Sequence, residues 1–154
     1  MRAARHPAPR RHRLALRIAA ALAVAGTSLP ACADIYVVVP ASSAVHAMTQ
    51  KEVVDLYMGR SRAFPGGDIA LPFDLPRDNP GHAAFYEALT GLGQAQINSY
   101  WSRLMFSGQT MPPPALPTEA SMADVVKRNP SAIGYLLQEP TDKGLHVVLV
   151  LKTR

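Results

Sequence analysis

The segment Ile35-Tyr-Val-Val-Val39 restricts the fold most strongly, because it is an unbroken run of β-branched and aromatic residues that ends at Pro40. A strand with one face in water alternates apolar and polar residues, and this run does not. It therefore needs cover on both faces, as in the centre of a sheet that lies between helices. The run from Leu145 to Leu151 is also mostly apolar and predicts a second, largely buried strand.

Helices and shorter strands are predicted in alternation between these two runs. Thr49 and Glu52 have the spacing of a capping box, at the start of a helix that Gly59 ends. Further helices are predicted at 78–89, 95–106 and 118–128, and further strands at 69–73 and within 129–137. Strands that alternate with helices indicate an α/β fold, with a small mixed, largely parallel sheet and helices on both faces.

The first 33 residues have the composition of a secretory signal peptide. Six arginines precede a short apolar run from Ile18 to Val24, and Ala31-Cys-Ala33 supplies the small residues of a cleavage site. The apolar run is too short to span a bilayer. We therefore expect a signal peptide at residues 1–33 and a single periplasmic domain at residues 34–154, which is about 121 residues long.

Two features of the leader leave alternatives open. Leu29-Pro-Ala-Cys32 resembles a lipoprotein box, in which the cysteine would be acylated. Acylation would leave only Ala33 and Asp34 as a tether, so we favour cleavage after Ala33 and a mature chain without cysteine or disulfide. The pair Arg10-Arg11 is compatible with twin-arginine export, and the sequence does not separate that route from general secretion.

The excess of basic residues belongs to the leader. The whole chain has 16 Lys and Arg against 11 Asp and Glu, and the leader holds six of the basic residues and none of the acidic ones. Ten basic and eleven acidic residues remain, for a net charge of −1, so bulk charge does not favour nucleic-acid binding. No segment after the leader is long and apolar enough to predict a transmembrane helix.

Catalytic and metal-binding patterns are weak in the mature chain. It has no cysteine and no Gly-x-Ser-x-Gly motif, and no acidic partner is patterned with His46, His82 or His146. The pair His46-x-Met48 could offer soft metal ligands, but the other methionines are scattered and fit core positions better. We expect neither an enzyme nor a metal site nor a cofactor.

The most suggestive stretch for binding follows the predicted strand at 69–73, where a sharp turn leads into a helix. Asp78 or Asn79 suits the N-cap, Pro80 suits the first helical position, and Gly81 would let a ligand approach the backbone. Free N–H groups of the first turn, together with Arg77, could hold a phosphate-like or carboxylate group. An ordinary capped helix that binds nothing has the same pattern.

The order of these features resembles the substrate-binding proteins of phosphate ABC importers, which have the type 2 periplasmic binding fold. Full-length members of that family have two lobes that close on the anion, whereas this chain has room for one lobe and is similar to the second. The resemblance rests on Ile35–Val39, Thr49–Gly59, Phe64–Gly67, Tyr100-Trp101 and Asn129–Tyr135.

The family usually carries an Arg and then Asp-Gly-Ser-Gly-Thr at a strand-to-helix turn of this lobe. Asp78 and Gly81 match that motif, while Pro80 stands where Ser is expected and His82 where Thr is expected, so two hydroxyl donors are lost. A Gly-Ser-Ser or Gly-Ser-Thr loop of the family has only a serine pair as a candidate here, without the glycine. The resemblance thus implies ligand-binding residues Arg77, Asp78, Asn79, Gly81, His82, Ser42 and Ser43.

These observations predict a periplasmic solute-binding-like protein that binds phosphate or a similar oxyanion weakly at a helix N-terminus, in connection with ABC-type import. An ABC permease or another periplasmic protein is the expected partner. The alternative is a lobe without ligand that acts as a protein interaction module. A small hydrolase is a third possibility, but it would need a catalytic group that the sequence does not show.

Overall fold

The computed structural model describes residues 33–153, in which the chain forms four strands and four helices. The expected leader up to Cys32, including Arg10-Arg11, lies outside the described residues. In chain order the elements are β1 Ile35–Pro40, α1 Gln50–Tyr57, β2 Leu71–Pro72, α2 Pro80–Thr90, α3 Gln94–Phe106, α4 Glu119–Arg128, β3 Ala132–Leu136 and β4 Leu145–Leu151.

Capping side chains set the predicted helix starts. In α1, the Glu52 amide donates to Thr49 Oγ1 at 3.3 Å and the Thr49 amide donates to Glu52 Oε2 at 2.7 Å, which confirms the capping box. In α4, Thr118 Oγ1 accepts from the Ser121 amide at 3.1 Å. Gly59, just after α1, has a φ of 70°, a left-handed conformation that suits glycine.

The sheet has the strand order β2-β3-β1-β4. Strand β1 runs antiparallel to both β3 and β4, and only the short pair of β2 and β3 is parallel. The predicted mixed α/β fold is therefore confirmed, but the expectation of a largely parallel sheet is wrong. A fully buried apolar strand has a similar composition in a parallel and in an antiparallel sheet. The residues of β1 therefore did not indicate its direction relative to its neighbours.

Helices cover both faces of the sheet, as the composition of β1 predicts. Neighbouring residues of a strand point to opposite faces. Gly134 of β3 lies against α4, where an added Cβ would come within 2.6 Å of Met122 Sδ and 2.9 Å of Val126 Cγ2. Tyr135 faces the other side and stacks on Phe85 of α2, with ring centroids 3.7 Å apart.

Strand β2 is shorter than the predicted strand at 69–73. Only Leu71–Pro72 pairs with β3, and Pro72 lies in an edge strand, as its missing N–H requires. The backbone of Asp74 pairs instead with the proline-rich segment at 112–117, which precedes α4. The Asp74 amide donates to the Pro114 carbonyl at 3.0 Å, and the Asp74 carbonyl accepts from the Leu116 amide at 2.8 Å.

Helix α3 has one strongly buried aromatic residue and one exposed aromatic residue. The helical spacing of Ile97, Tyr100, Trp101 and Leu104 predicts that Trp101 lies in the core, and its exposure of 2% confirms this. Phe106, at the end of the same helix, is 96% exposed. Among residues 33–153, no helix combines the length and the apolar character that a membrane span requires.

Candidate functional site

A buried carboxylate lies where the chain leaves the sheet. Asp74 is only 4% exposed and accepts three hydrogen bonds. The Tyr135 hydroxyl donates to Oδ1 at 2.6 Å, the Tyr86 hydroxyl donates to Oδ2 at 2.8 Å, and the Leu75 amide donates to Oδ1 at 2.8 Å. These donors connect α2, β3 and the segment after β2 around one side chain, and they offset part of the cost of burying it.

Burial sets the ionisation of this cluster. It raises the pKa of Asp74, while the Tyr135 hydroxyl, His82, the Tyr86 hydroxyl and the Leu75 amide oppose that rise. Burial, followed by the charge of Asp74, raises the pKa of both tyrosines well above the ordinary value. Both phenols therefore keep their protons and remain donors to the carboxylate.

His82 is the second buried polar side chain at this point, at 4% exposed. Its Nδ1 lies 3.2 Å from Gln94 Oε1, and Gln94 Nε2 donates to the Arg77 carbonyl at 2.9 Å. A carbonyl can only accept, so the Gln94 amide nitrogen must face Arg77, and Nδ1 of His82 must carry the proton. His82 Nε2 then faces Asp74 Oδ2 at 3.5 Å, where a proton on either atom would make the approach attractive.

The start of α2 does not have the free donors that the sequence suggested. Asn79 is the N-cap, and its Oδ1 accepts from the Gly81 amide at 2.8 Å. Its carbonyl accepts from the His82 amide at 3.0 Å, and Pro80 has no N–H. The expectation that the Gly81 and His82 amides are free is therefore wrong, because the cap residue itself binds both.

Gly81 has a packing role. It is buried, and an added Cβ would come within 2.7 Å of Leu137 Cδ1 and 3.2 Å of Leu75 Cδ1. The absence of a side chain lets the first turn of α2 lie against the chain that leaves β3. Close approach of a ligand is not needed to explain this glycine.

The structure does not bring the two serines to the same place as the residues at 77–82. Strand β1 is antiparallel to β3, and β3 is parallel to β2, so the turns that follow β1 and β2 lie at opposite ends of the sheet. Ser42 and Ser43 follow β1, and Ser43 Oγ accepts from the Val45 amide at 3.1 Å. A small anion that contacts Arg77 cannot also contact these serines.

A cavity of about 160 Å³ lies beside Asp74. Of the predicted site residues, Arg77 and His82 line it, whereas Asp78, Asn79 and Gly81 do not. Arg77 is itself exposed, so its charge lies at the rim. The complete lining is Asp74, Leu75, Arg77, His82, Ile97, Asn98, Trp101, Pro112, Pro113 and Ala115.

The site residues predicted from the sequence did not include Asp74, Tyr86, Tyr135, Asn98 or Trp101. Asp74 and Tyr135 are 61 positions apart in the chain, so no local spacing connects them. Two further residues of the lining have buried polar atoms. Asn98 Oδ1 has no hydrogen-bond partner within the part of the chain that the structure describes, whereas the Trp101 indole interacts with the Tyr86 hydroxyl and opposes the rise in the pKa of that phenol. The single usable signal was an acidic residue directly after a strand.

A second, wider depression of about 350 Å³ lies beside α4, away from Asp74. Two of its three acidic lining residues are engaged within the chain. Glu119 Oε2 accepts from the Leu137 amide at 2.7 Å, and Asp142 Oδ2 accepts from Lys127 Nζ at 2.6 Å. Nowhere in residues 33–153 do three or more His, Cys, Asp or Glu side chains come together as potential metal ligands. The smaller cavity therefore has the more distinctive chemistry.

Solved structures share the fold of this chain at low sequence identity. One is described as a candidate phosphate ABC transporter substrate-binding protein with bound phosphate from Clostridium perfringens; identity is 16%, the TM-score is 0.59, and the match covers 76% of this chain and 45% of that one. Another is an ABC-type phosphate transport receptor from Vibrio cholerae, with 13% identity, a TM-score of 0.56 and coverage of 76% and 46%.

The chain thus spans less than half the length of these two proteins. No protein-family model matches the sequence, and no curated protein matches it. The likeness shows a mixed α/β fold similar to the lobes of periplasmic binding proteins, as the resemblance in the sequence implied.

Proposed function

We propose that this chain is a periplasmic solute-binding-like protein that binds phosphate or a similar oxyanion weakly, in connection with ABC-type import. The observation that carries the proposal is the cavity that Arg77, His82 and the buried Asp74 line. The relation in fold to a structure with bound phosphate and to a phosphate transport receptor supports it. Because both are described as binding or transport proteins, we propose binding without catalysis.

The cavity suits a small anion better than a large solute. At about 160 Å³ it is smaller than the roughly 300–1,000 Å³ of most small-molecule pockets. Arg77 at the rim supplies a positive charge and several donors. Asp78 and Asn79 shape the turn that holds Arg77, and the backbone donors of α2 are not part of this proposal.

The charge of Asp74 makes the proposed binding pH-dependent. An ionised carboxylate beside the cavity repels an anion, and burial raises the pKa of Asp74. We therefore expect binding to strengthen as pH falls from about 8 to about 6, toward the raised pKa of Asp74. A single lobe leaves one side of the anion in water, so the expected dissociation constant is on the order of millimolar.

Titration of the full chain with phosphate and with sulfate, followed by NMR at about pH 6 and about pH 8, tests the proposal. We expect shifts in residues 74–82, and a loss of affinity of about tenfold in Arg77→Gln, which removes one charge-assisted contact. Arg62→Gln is the matched control, since this exposed arginine precedes β2 and lies outside the cavity. Shifts confined to other residues, or none on the order of tens of millimolar anion, would remove the solute-binding function.

An interaction module remains the second candidate, and exposed apolar residues favour it. Phe106 at the end of α3 is 96% exposed, and Met111 in the following loop is 72% exposed. A photo-crosslinker at position 111, tested in the periplasm with and without Phe106→Ser, distinguishes the two functions. One defined adduct that Phe106→Ser abolishes would favour a protein partner, such as an ABC permease, over a free solute.

A further inference from the structure

Two histidines that are 100 positions apart in the chain come together at the β4 edge of the sheet. His46 lies in the loop after β1, and His146 is the second residue of β4. Their ring centroids are 5.8 Å apart, and the rings meet edge to face. His146 Nε2 also lies 2.9 Å from the carbonyl oxygen of His46. The fold therefore places two imidazole rings side by side outside the cavity near Asp74.

The loop that carries His46 is fixed to β4 on both sides of that residue. The Ala41 amide donates to the Gly144 carbonyl at 2.9 Å, and the Met48 amide donates to the Val148 carbonyl at 2.9 Å. Val148 is skipped in the register between β4 and β1, so it forms a β-bulge there. The backbone thus positions both histidines before any ligand binds.

The hydrogen bond between the two residues determines which nitrogen of one ring is available. A carbonyl can only accept, so Nε2 of His146 must carry the proton, and Nδ1 of the neutral ring keeps its lone pair. Histidines that bind metals usually donate their other ring N–H to a carbonyl or a carboxylate in this way, which orients the ring and makes the coordinating nitrogen more basic. His46 is exposed, and its ring makes no hydrogen bond within residues 33–153, so one of its nitrogens is available as well.

The distance between the rings suits one shared metal ion. A metal ion lies about 2.0–2.1 Å from an imidazole nitrogen and hence about 3.2 Å from the centre of the ring. The centres of two rings that share an ion can therefore be up to about 6.4 Å apart. The observed 5.8 Å lies within this limit. Nitrogen ligands completed by water suit Cu²⁺ and Ni²⁺, and Cu²⁺ binds such ligands most tightly among the divalent ions of the first row.

We propose that His46 and His146 bind one Cu²⁺ ion between them, with water in the remaining coordination positions. No metal site was predicted from the sequence, because the two ligands are far apart in the chain. The site lies at the end of the sheet where β1 ends, opposite to Arg77. It does not depend on the proposed anion binding, so either proposal can fail without the other.

NMR of the full chain during titration with Cu²⁺ tests this proposal, because a paramagnetic ion broadens the signals of residues close to it. We expect the ring signals of His46 and His146 to broaden together at the same Cu²⁺ concentration, while those of His82 stay sharp. Mn²⁺ is also paramagnetic but prefers oxygen ligands, so it should leave both rings sharp at that concentration. Cysteine and histidine residues of the leader also offer copper ligands, and the residue-specific signals separate them from this site.

His46→Ala removes one ring but keeps the carbonyl that accepts from His146, so the position of His146 is preserved. Broadening of His146 in this variant should need at least about tenfold more Cu²⁺, since loss of even an outer-shell partner costs roughly 10–100-fold in metal affinity. Ala44→Ser is the matched control, because it changes an exposed position of the same loop and keeps both rings. It should behave as the wild type does.

Three outcomes would overturn the proposal. The first is broadening of the two rings at different Cu²⁺ concentrations in the wild type, which would indicate separate sites. The second is a response of His146 that His46→Ala does not change. The third is equal broadening of both rings by Mn²⁺, which would show that the imidazole nitrogens do not select the ion.

Discussion

At the scale of single residues, Asp74 links three elements through one carboxylate. Its backbone is bound to the proline-rich segment, and its side chain accepts from Tyr86 of α2 and Tyr135 of β3. A buried carboxyl group of this kind contributes little net stability, because the cost of removing it from water offsets much of the hydrogen bonding. What it does contribute is a defined position for the cavity wall next to His82.

Substitution Asp74→Asn tests the state of this carboxylate through pH. Because burial raises its pKa in the folded chain above the ordinary 3.8, the stability that Asp74 contributes is fully present below that value and is lost as pH rises through the folded pKa. The melting temperature of the wild type relative to Asp74→Asn should therefore fall as pH rises from about 3 to about 7. Both proteins contain the other carboxylates, so the contributions of those groups cancel when the two melting temperatures are subtracted. If the melting temperature of the wild type instead rose relative to that of Asp74→Asn with increasing pH, the folded chain would favour the ionised form of Asp74.

At the scale of elements, the contact between β3 and α4 depends on a missing side chain. Gly134 lies directly under Met122 and Val126, both of which are fully buried. The branched Val126 side chain has few rotamers with which to move away. Helix and strand can therefore approach closely only while position 134 has no Cβ.

Gly134→Ala should lower the free energy of unfolding by about 1–3 kcal/mol, the usual cost of overpacking a filled core. Urea denaturation measures it. Gly66→Ala is the matched control, because an added Cβ there meets nothing within 4 Å, and it should stay within about 0.5 kcal/mol of the wild type. If both substitutions were equally mild, the packing of α4 on β3 would be looser than the distances indicate.

At the scale of the whole molecule, the sheet joins the first strand of the domain to the last. Ile35 pairs with Leu151, and β1 is bonded on its other side to β3. Pairing between such distant segments closes long loops, so it forms only when most of the domain has been ordered. Strand β1 therefore forms and unfolds together with the rest of the domain. Strand β2 has only two residues and lies at the edge of the sheet, so it can open locally.

Hydrogen exchange measured by NMR should reflect this arrangement. The amides of β1 should exchange most slowly, through global unfolding, since β1 lies inside the sheet and Val37–Val39 are fully buried. Leu71 in β2 should exchange faster, through local opening at the edge. Equal protection of Leu71 and Val38 would contradict a sheet in which β2 forms the edge.

The sequence alone determined the local features, because each depends on residues that are close together in the chain. The unbroken apolar composition of β1 predicted cover on both faces, and the Thr49–Glu52 spacing predicted a capping box that is observed. The strand-to-helix turn before α2 and the burial of Trp101 were predicted in the same way. Such signals locate helices and strands and indicate which side of each is buried, although the strand predicted at 69–73 was too long.

Only the tertiary structure decided strand direction and the composition of the site. A fully buried apolar strand does not encode its neighbour's direction, so the antiparallel pairing of β1 was not predictable from its residues. Asp74 and Tyr135 are in contact although they are 61 positions apart in the chain, and Ser43 and Arg77 lie at opposite ends of the sheet. Both of these spatial relations depend on the order and direction of the strands. The amides at the start of α2 are occupied because Asn79, rather than a ligand, is the nearest acceptor. Contacts between distant parts of the chain form through packing of the whole domain, and short-range patterns carry no record of them.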